Sequence, residues 1–290
     1  MGILSFLLGA TVAGAPLPQA ALPQAASLPQ ALATASPAVR IQRYPALWVV
    51  NDDDTIIYLF GTFHALDANS AWFAQAVRTA FFASDKLVLE TLIPRPPGLG
   101  PPPAPRAAPP GGIGFAPPAA ADPGSSPSFM ASTELVMDAG RTRGLSTVHG
   151  ADAVLRDTAD LHGKPVAALE SFQAQMDMMT SLPRSSQPIP SARDPQAMQV
   201  LGQLLTNLQL AWSRGDIDTF EAMLTRMRSQ SPQLYRTMFV ERNTRWAAWI
   251  ADQLKTPGTM FVAVGTGHLS GPDSVQNKLA IIGVRSARVN

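Results

Sequence analysis

Four short apolar runs, each leading into a polar residue of ligating or catalytic type, constrain this 290-residue chain more than any other feature. Ile56 to Phe60 runs through Gly61-Thr62-Phe63 to His64, and Met260 to Val264 runs through Gly265-Thr266-Gly267 to His268. Lys86 to Leu89 ends at Glu90 and Val166 to Leu169 at Glu170. Helical spacing fills the intervals. Ala71 to Ser84 sets Trp72, Phe73, Val77, Phe81 and Phe82 on one face, Thr133 to Arg143 and Ala151 to Leu161 follow, and Gln173 to about Arg245 is predominantly helical, broken at Pro183 to Pro195 and at Gly215-Asp216. Arg236 to Leu254 reads as one helix carrying Arg242 and Asn243. The helical segments between these runs read as the crossovers of a sheet. Ligands in such sheets gather beyond the carboxyl ends of parallel strands, so the four polar residues are placed to meet. Gly61 and Gly265 let the backbone turn out of the sheet where a side chain would clash.

Ala46 to Val50 and Thr55 to Phe60 are spaced as a hairpin around Asn51-Asp52-Asp53-Asp54, which lacks the glycine and closing Glu of a calcium loop and reads as a solvated turn. Leu145 to Val148 and Val284 to Val289 read as further strands. Methionines 176, 178, 179, 223, 227 and 238 read as core fillers on helices.

The chain reads as a single domain, 44 to 290, with segments of different composition before it and one inserted within it. Residues 1 to 15 contain an apolar stretch of signal-peptide length, and 16 to 43 repeat Leu-Pro-Gln-Ala units as a disordered stalk would. The expectation is an exported protein, periplasmic or envelope-associated, with no transmembrane helix beyond the signal. Residues 94 to 130 are a run of Pro, Gly and Ala that reads as a disordered loop insertion.

The formal charge of +1 and the absence of any dense basic cluster argue against nucleic acid as a partner. There is no cysteine, so a metal would have to be held by His, Asp or Glu. Of the four histidines, His149 and His162 precede glycines at element ends and read as surface or cap residues. His64 and His268 share one sequence context, and with the strand-end carboxylates they form a ligand set that Mn, Co or Zn accepts. A single cation shared by His64 and His268 is the expectation, with the two imidazoles within a few ångström.

Together the motifs resemble the TraB/GumN family, which includes the Tiki-type proteases and is distantly similar to the erythromycin-esterase and ChaN-like folds. The resemblance runs from Ala46-Leu47-Trp48 through Tyr58 to His64 and Leu87-Val88-Leu89-Glu90. It continues at Gly163-Lys164-Pro165-Val166, Leu169-Glu170-Ser171, Gln175, Gly215-Asp216, Glu241-Arg242-Asn243 and Trp246, and closes on Val264-Gly265-Thr266-Gly267-His268-Leu269 and Gly271. It implies an α/β (or α+β) fold with a central mixed, largely parallel sheet in which the N- and C-terminal Gly-x-x-His strands lie close together, and divalent-metal-dependent hydrolysis of a peptide or ester bond, with a peptide or small-molecule substrate. Carried over, it makes His64, Glu90 and His268 the metal and catalytic residues and Glu170, Arg242 and Asn243 the polar shell. Glu90 would be general base or third ligand, and Arg242 would stabilise a developing oxyanion. Two other functions are compatible with the same residues: an envelope protein binding haem or another ligand, and a non-catalytic interaction protein of the same fold.

Overall fold

A computed structural model describes residues 44–94, 129–182 and 194–290. The expectations for the signal, the stalk and most of the 94 to 130 insertion lie outside the described residues. In chain order the strands are β1 (Leu47–Asn51), β2 (Thr55–Thr62), β3 (Lys86–Thr91), β4 (Val166–Glu170), β5 (Gly258–Gly265) and β6 (Ala287–Arg288), forming one sheet in the order β4-β3-β5-β2-β1-β6. β4, β3, β5 and β2 run parallel to one another, while β1 is antiparallel to both β2 and β6. The mixed, largely parallel α/β sheet read from the sequence is present. The two Gly-x-x-His strands are direct neighbours, with Gly61 opposite Val264 and Thr62 opposite Gly265.

Period-two alternation divides the strands between two cores. Leu47, Phe60, Leu87, Leu89, Phe261 and Ala263 face a layer of helices α1 (Gln75–Ala83), α2 (Phe129–Arg141), α3 (Ala151–Leu161) and α5 (Pro195–Ser213). Trp48, Ile57, Leu59, Val88, Met260, Val262 and Val264 face α8 (Glu241–Gln253) and α9 (Val275–Ile281). Each fully buried Phe or Leu stabilises the fold by about 1.5–3 kcal/mol. The apolar runs therefore position the strand ends, and the polar residues beyond them are free to serve another purpose.

A third cluster joins α4 (Phe172–Ser181), α6 (Ile217–Gln230) and α7 (Pro232–Tyr235), where Met179, Met227 and Met238 are buried and Met176, Met178 and Met223 pack against them. These are the core fillers that helical spacing predicts.

Three expectations are corrected. The run Leu145 to Val148 forms only an isolated bridge from Ser146 to Leu66 and then a 3-10 turn, Thr147–His149, because Ser146 Oγ accepts the Val148 N–H and turns the chain. The helix read over Arg236 to Leu254 is split by a wide π turn, Arg236–Val240, and an extra residue per turn shifts the face that α8 presents. The last strand has two residues, not six. The acidic turn is solvated as expected, with Asp52 Oδ1 accepting the N–H groups of Asp54 and Thr55.

Candidate functional site

Each functional side chain reaches the site from the carboxyl end of a parallel strand or from α8. Glu90 is the penultimate residue of β3, and its neighbours Leu89 and Val88 are buried on opposite faces of the sheet. Glu170 ends β4, and Ser171 immediately caps α4 by accepting the Ala174 N–H. That abrupt strand-to-helix transition carries Gln175 to Glu90, where its Nε2 donates to Oε1 at 2.9 Å.

Arg242 is 1% exposed and lies between the two carboxylates. Its Nη2 donates to Glu90 Oε1 at 2.5 Å and lies 3.0 Å from Glu170 Oε2, while Nε donates to Glu170 at 3.0 Å. Nη1 donates to the Met238 carbonyl at 3.3 Å and to His268 Nε2 at 3.2 Å. Every guanidinium nitrogen has its partners, and the cation lies 4.6 Å from the Trp246 ring centre. No N–H is left over for a developing oxyanion, so the geometry makes Arg242 an organiser of the site. Burial alone would raise the Glu90 carboxyl, yet Arg242 holds it well below the usual carboxylate range.

The hydrogen bonds also set the ring of His268. Asn243 Nδ2 donates to the Asp273 carbonyl at 2.7 Å, so its Oδ1 is the acceptor for His268 Nδ1 at 2.6 Å. His268 Nε2, facing a guanidinium donor, must then carry the lone pair. The ring is neutral: burial pushes the imidazole well below its ordinary range against the pull of Glu90. It lies between Phe239 and Trp246, with ring centres 4.9 and 4.5 Å away.

His64 differs. Its side chain is 21% exposed, and its Nδ1–H donates to Asp152 Oδ1 at 2.9 Å, which turns the other ring nitrogen, Nε2, away from that carboxylate. Asp152 lies in the first turn of α3, and α3 is tied to the His64 loop by Ala151 N–H donating to Phe63 O at 2.9 Å.

The two motif glycines do different things. A Cβ on Gly61 would stand 2.8 Å from Thr266 Oγ1 and 3.1 Å from Thr266 Cα, so close backbone approach requires glycine there, as expected. For Gly265 the expected clash is absent. Its φ of −51° suits any residue, and the atoms nearest to a Cβ would be His64 Nε2 at 3.4 Å, Glu90 Oε2 at 3.5 Å and His268 Cδ2 at 3.7 Å. The bare Cα instead fronts a small cradle edged by His64, Glu90 and His268.

The profile of the TraB/PrgY/gumN family matches residues 46–104 and 116–288. The chain belongs to that family. No curated protein and no solved structure matches it. In this TraB/PrgY/gumN member hydrogen bonds join Glu90, Glu170, Arg242, His268 and Asn243 into one network, and His64 faces it across Gly265 without a bond of its own to the network. His149 and His162 stand elsewhere, on the 3-10 turn and at the exposed end of α3.

Among the described residues, no group of three or more His, Asp and Glu side chains stands closed to hold a metal ion. The cradle nevertheless offers donors of the right kind: His64 Nε2, oriented by a carboxylate on the other ring nitrogen as metal-binding imidazoles are, and Glu90 Oε2, whose one protein donor is the Gly265 N–H at 3.2 Å.

Sequence reasoning missed Asp152 and the contact of Gln175 with Glu90. An acidic residue in a first helical turn is ordinary helix chemistry, and nothing local marks it as the partner of a histidine 88 positions away.

Proposed function

We propose that this family member is a divalent-metal-dependent hydrolase of a peptide or ester bond, with Mn, Co or Zn as the ion, acting at the cradle beside Gly265. The observation that carries this reading is the approach of His64 Nε2 and Glu90 Oε2 to one small space at the strand ends, with His268 on its edge. His64, Glu90 and His268 are the residues that would surround the ion. Such an ion would supply Lewis acidity, polarising the scissile carbonyl and easing the loss of a proton from water.

The protein's own groups have defined parts. Asp152 fixes the His64 ring so that Nε2 faces inward, and partial exposure of His64 leaves an approach for substrate. Arg242 and Gln175 occupy Glu90 Oε1, which keeps the carboxylate ionised and turns Oε2 toward the cradle. An ionised carboxylate held this way suits holding a cation better than accepting a proton. Phe239 and Trp246 keep water from His268 on its far side.

The test is metal analysis of protein purified without chelator, together with hydrolysis of peptide and ester panels in Mn2+, Co2+ and Zn2+. His64→Ala and Glu90→Gln are expected to abolish turnover and metal retention while leaving the far-ultraviolet circular dichroism unchanged. Wild-type protein that holds no metal and turns over nothing would overturn the proposal.

One observation favours a non-catalytic interaction protein instead. The Arg242 network satisfies the buried Glu90, the partly buried Glu170 and His268 without any ligand, so this network is electrostatically complete on its own.

A further inference from the structure

Oxygen and nitrogen lone pairs at the cradle are not equally available. Glu90 Oε1 accepts from Gln175 and from Arg242, and so is fully used. Glu90 Oε2 accepts from the Gly265 N–H at 3.2 Å and keeps a second lone pair. His64 gives its Nδ1–H to Asp152 and keeps Nε2 open. His268 has both ring nitrogens engaged, Nδ1 with Asn243 and Nε2 with Arg242, and offers the cradle a carbon edge, Cδ2.

We infer that the two Gly-x-x-His histidines divide their work: a small electropositive occupant is held between His64 Nε2 and Glu90 Oε2 in the room left by the missing Gly265 side chain, and His268 is a positioning residue that orients Arg242 against Glu90. The inference deepens the proposed hydrolase and rests on it for the occupant's being a metal ion. The chemistry of the two walls, both acceptors, selects a divalent cation or the hydrogens of a water molecule and rejects an anion. Gly265 matters for space rather than for backbone freedom. Alanine there keeps an ordinary φ and meets nothing closer than 3.4 Å, yet its methyl group stands beside any atom that bridges the two acceptors. Gly61, whose Cβ would strike Thr266, has no such role.

The experiment is a pair of crystal structures, wild type and Gly265→Ala, grown in Mn2+ with diffraction collected at a wavelength that reveals manganese, alongside Mn2+ titrations followed by electron paramagnetic resonance. In the wild type one atom is expected within bonding distance of His64 Nε2 and Glu90 Oε2, with the His268–Arg242 bond intact. Gly265→Ala is expected to melt within about 2 °C of the wild type, as a methyl in ordinary contact should. It should lose the occupant and bind Mn2+ at least tenfold more weakly. An occupant bonded to His268 Nε2 with Arg242 turned aside would overturn the inference. So would an occupant retained in Gly265→Ala, or an empty cradle in the wild type. A water molecule without manganese signal at the expected position, displaced by Gly265→Ala, would sustain the two-point cradle and overturn the metal-dependent reading instead.

Discussion

Gly150 is where one methyl group would test how firmly the His64 loop is held. A Cβ there would stand 2.2 Å from the His64 carbonyl oxygen, 2.7 Å from its carbonyl carbon and 3.1 Å from the Thr147 oxygen. All three are backbone atoms on pinned segments, since Leu66 and Ser146 exchange bonds of 3.1 and 2.9 Å and Ala151 N–H donates to Phe63 O. The backbone angles, φ −55° and ψ 146°, are open to alanine, so the whole cost of Gly150→Ala is steric. Overpacking of this kind costs about 1–3 kcal/mol, with the upper end expected where backbone has to move. At roughly 2–4 °C per kcal/mol for a domain of this size, the melting temperature should fall by about 6–12 °C. Relieving the contact displaces His64 by about 1 Å, a misplacement that costs a catalytic group on the order of 100-fold in rate. Gly144 supplies the comparison: its φ is +78° with nothing within 4 Å, so Gly144→Ala carries left-handed strain of about 1–2 kcal/mol and leaves His64 in place. Calorimetry gives the melting temperatures, and the nitrogen chemical shifts of the His64 ring report its position. A Gly150→Ala variant that melts with the wild type and keeps the His64 shifts would refute this account of the loop.

Replacing Arg242 by Met leaves Glu90 and Glu170 without their buried cation and should destabilise the fold by about 3–5 kcal/mol, read by urea denaturation; an unchanged midpoint would show that the network carries no stability. Asp152→Ala removes the anchor of His64 from a partly exposed pair, so stability should change by less than about 1 kcal/mol while metal affinity and hydrolysis drop about 10–100-fold. Equal loss in both would make Asp152 structural. In chelated protein, acid should erode stability in two stages. The folded His268 takes a proton less readily than the ordinary 6.5, so the unfolded chain gains protons first below that pH; the lowered Glu90 adds its loss below the ordinary 4.5. Denaturation midpoints that stay flat from pH 7 to 4.5 would contradict the His268 shift, midpoints that stay flat on further acidification would contradict the Glu90 shift, and His268→Gln should erase the upper stage alone. Export is tested by N-terminal sequencing of protein from the native cell, where a start between Ala15 and Ala35 is expected and cytosolic protein retaining Met1 would refute it.

Local periodicity carried most of the fold because burial writes itself along the chain at the spacing of the element. β2 and β5 alternate between the two cores residue by residue, and Ala151 to Leu161 forms a helix with the bounds its sequence implies. Such patterns weaken where a tertiary partner replaces the local one. Leu145 to Val148 has strand composition but finds only Leu66 across from it, and Ser146 then bends the chain. The π turn at Arg236–Val240 leaves no mark in composition. It is sustained by what surrounds it, including Arg242, which takes the Met238 carbonyl.

The same limit separates the two Gly-x-x-His segments, which are alike in letters and unlike in chemistry. Proximity of His64 and His268 followed from strand-end geometry, because parallel neighbours bring equivalent positions together. Which lone pair remains available did not follow from it. That depends on Asp152 from α3, Asn243 and Arg242 from α8, and Gln175 from α4, four side chains belonging to three helices that no spacing rule connects to the motif. An imidazole on a rim with one carboxylate partner keeps a nitrogen open. An imidazole buried between two aromatic rings, with an amide on one nitrogen and a guanidinium on the other, has none to give unless Arg242 moves, and Arg242 is itself held by Glu90 and Glu170. Moving it would leave the buried Glu90 carboxylate without its cation and Glu170 with the exposed Arg245 alone, which costs more than one added ligand bond to His268 is needed to supply when His64 and Glu90 already face the cradle.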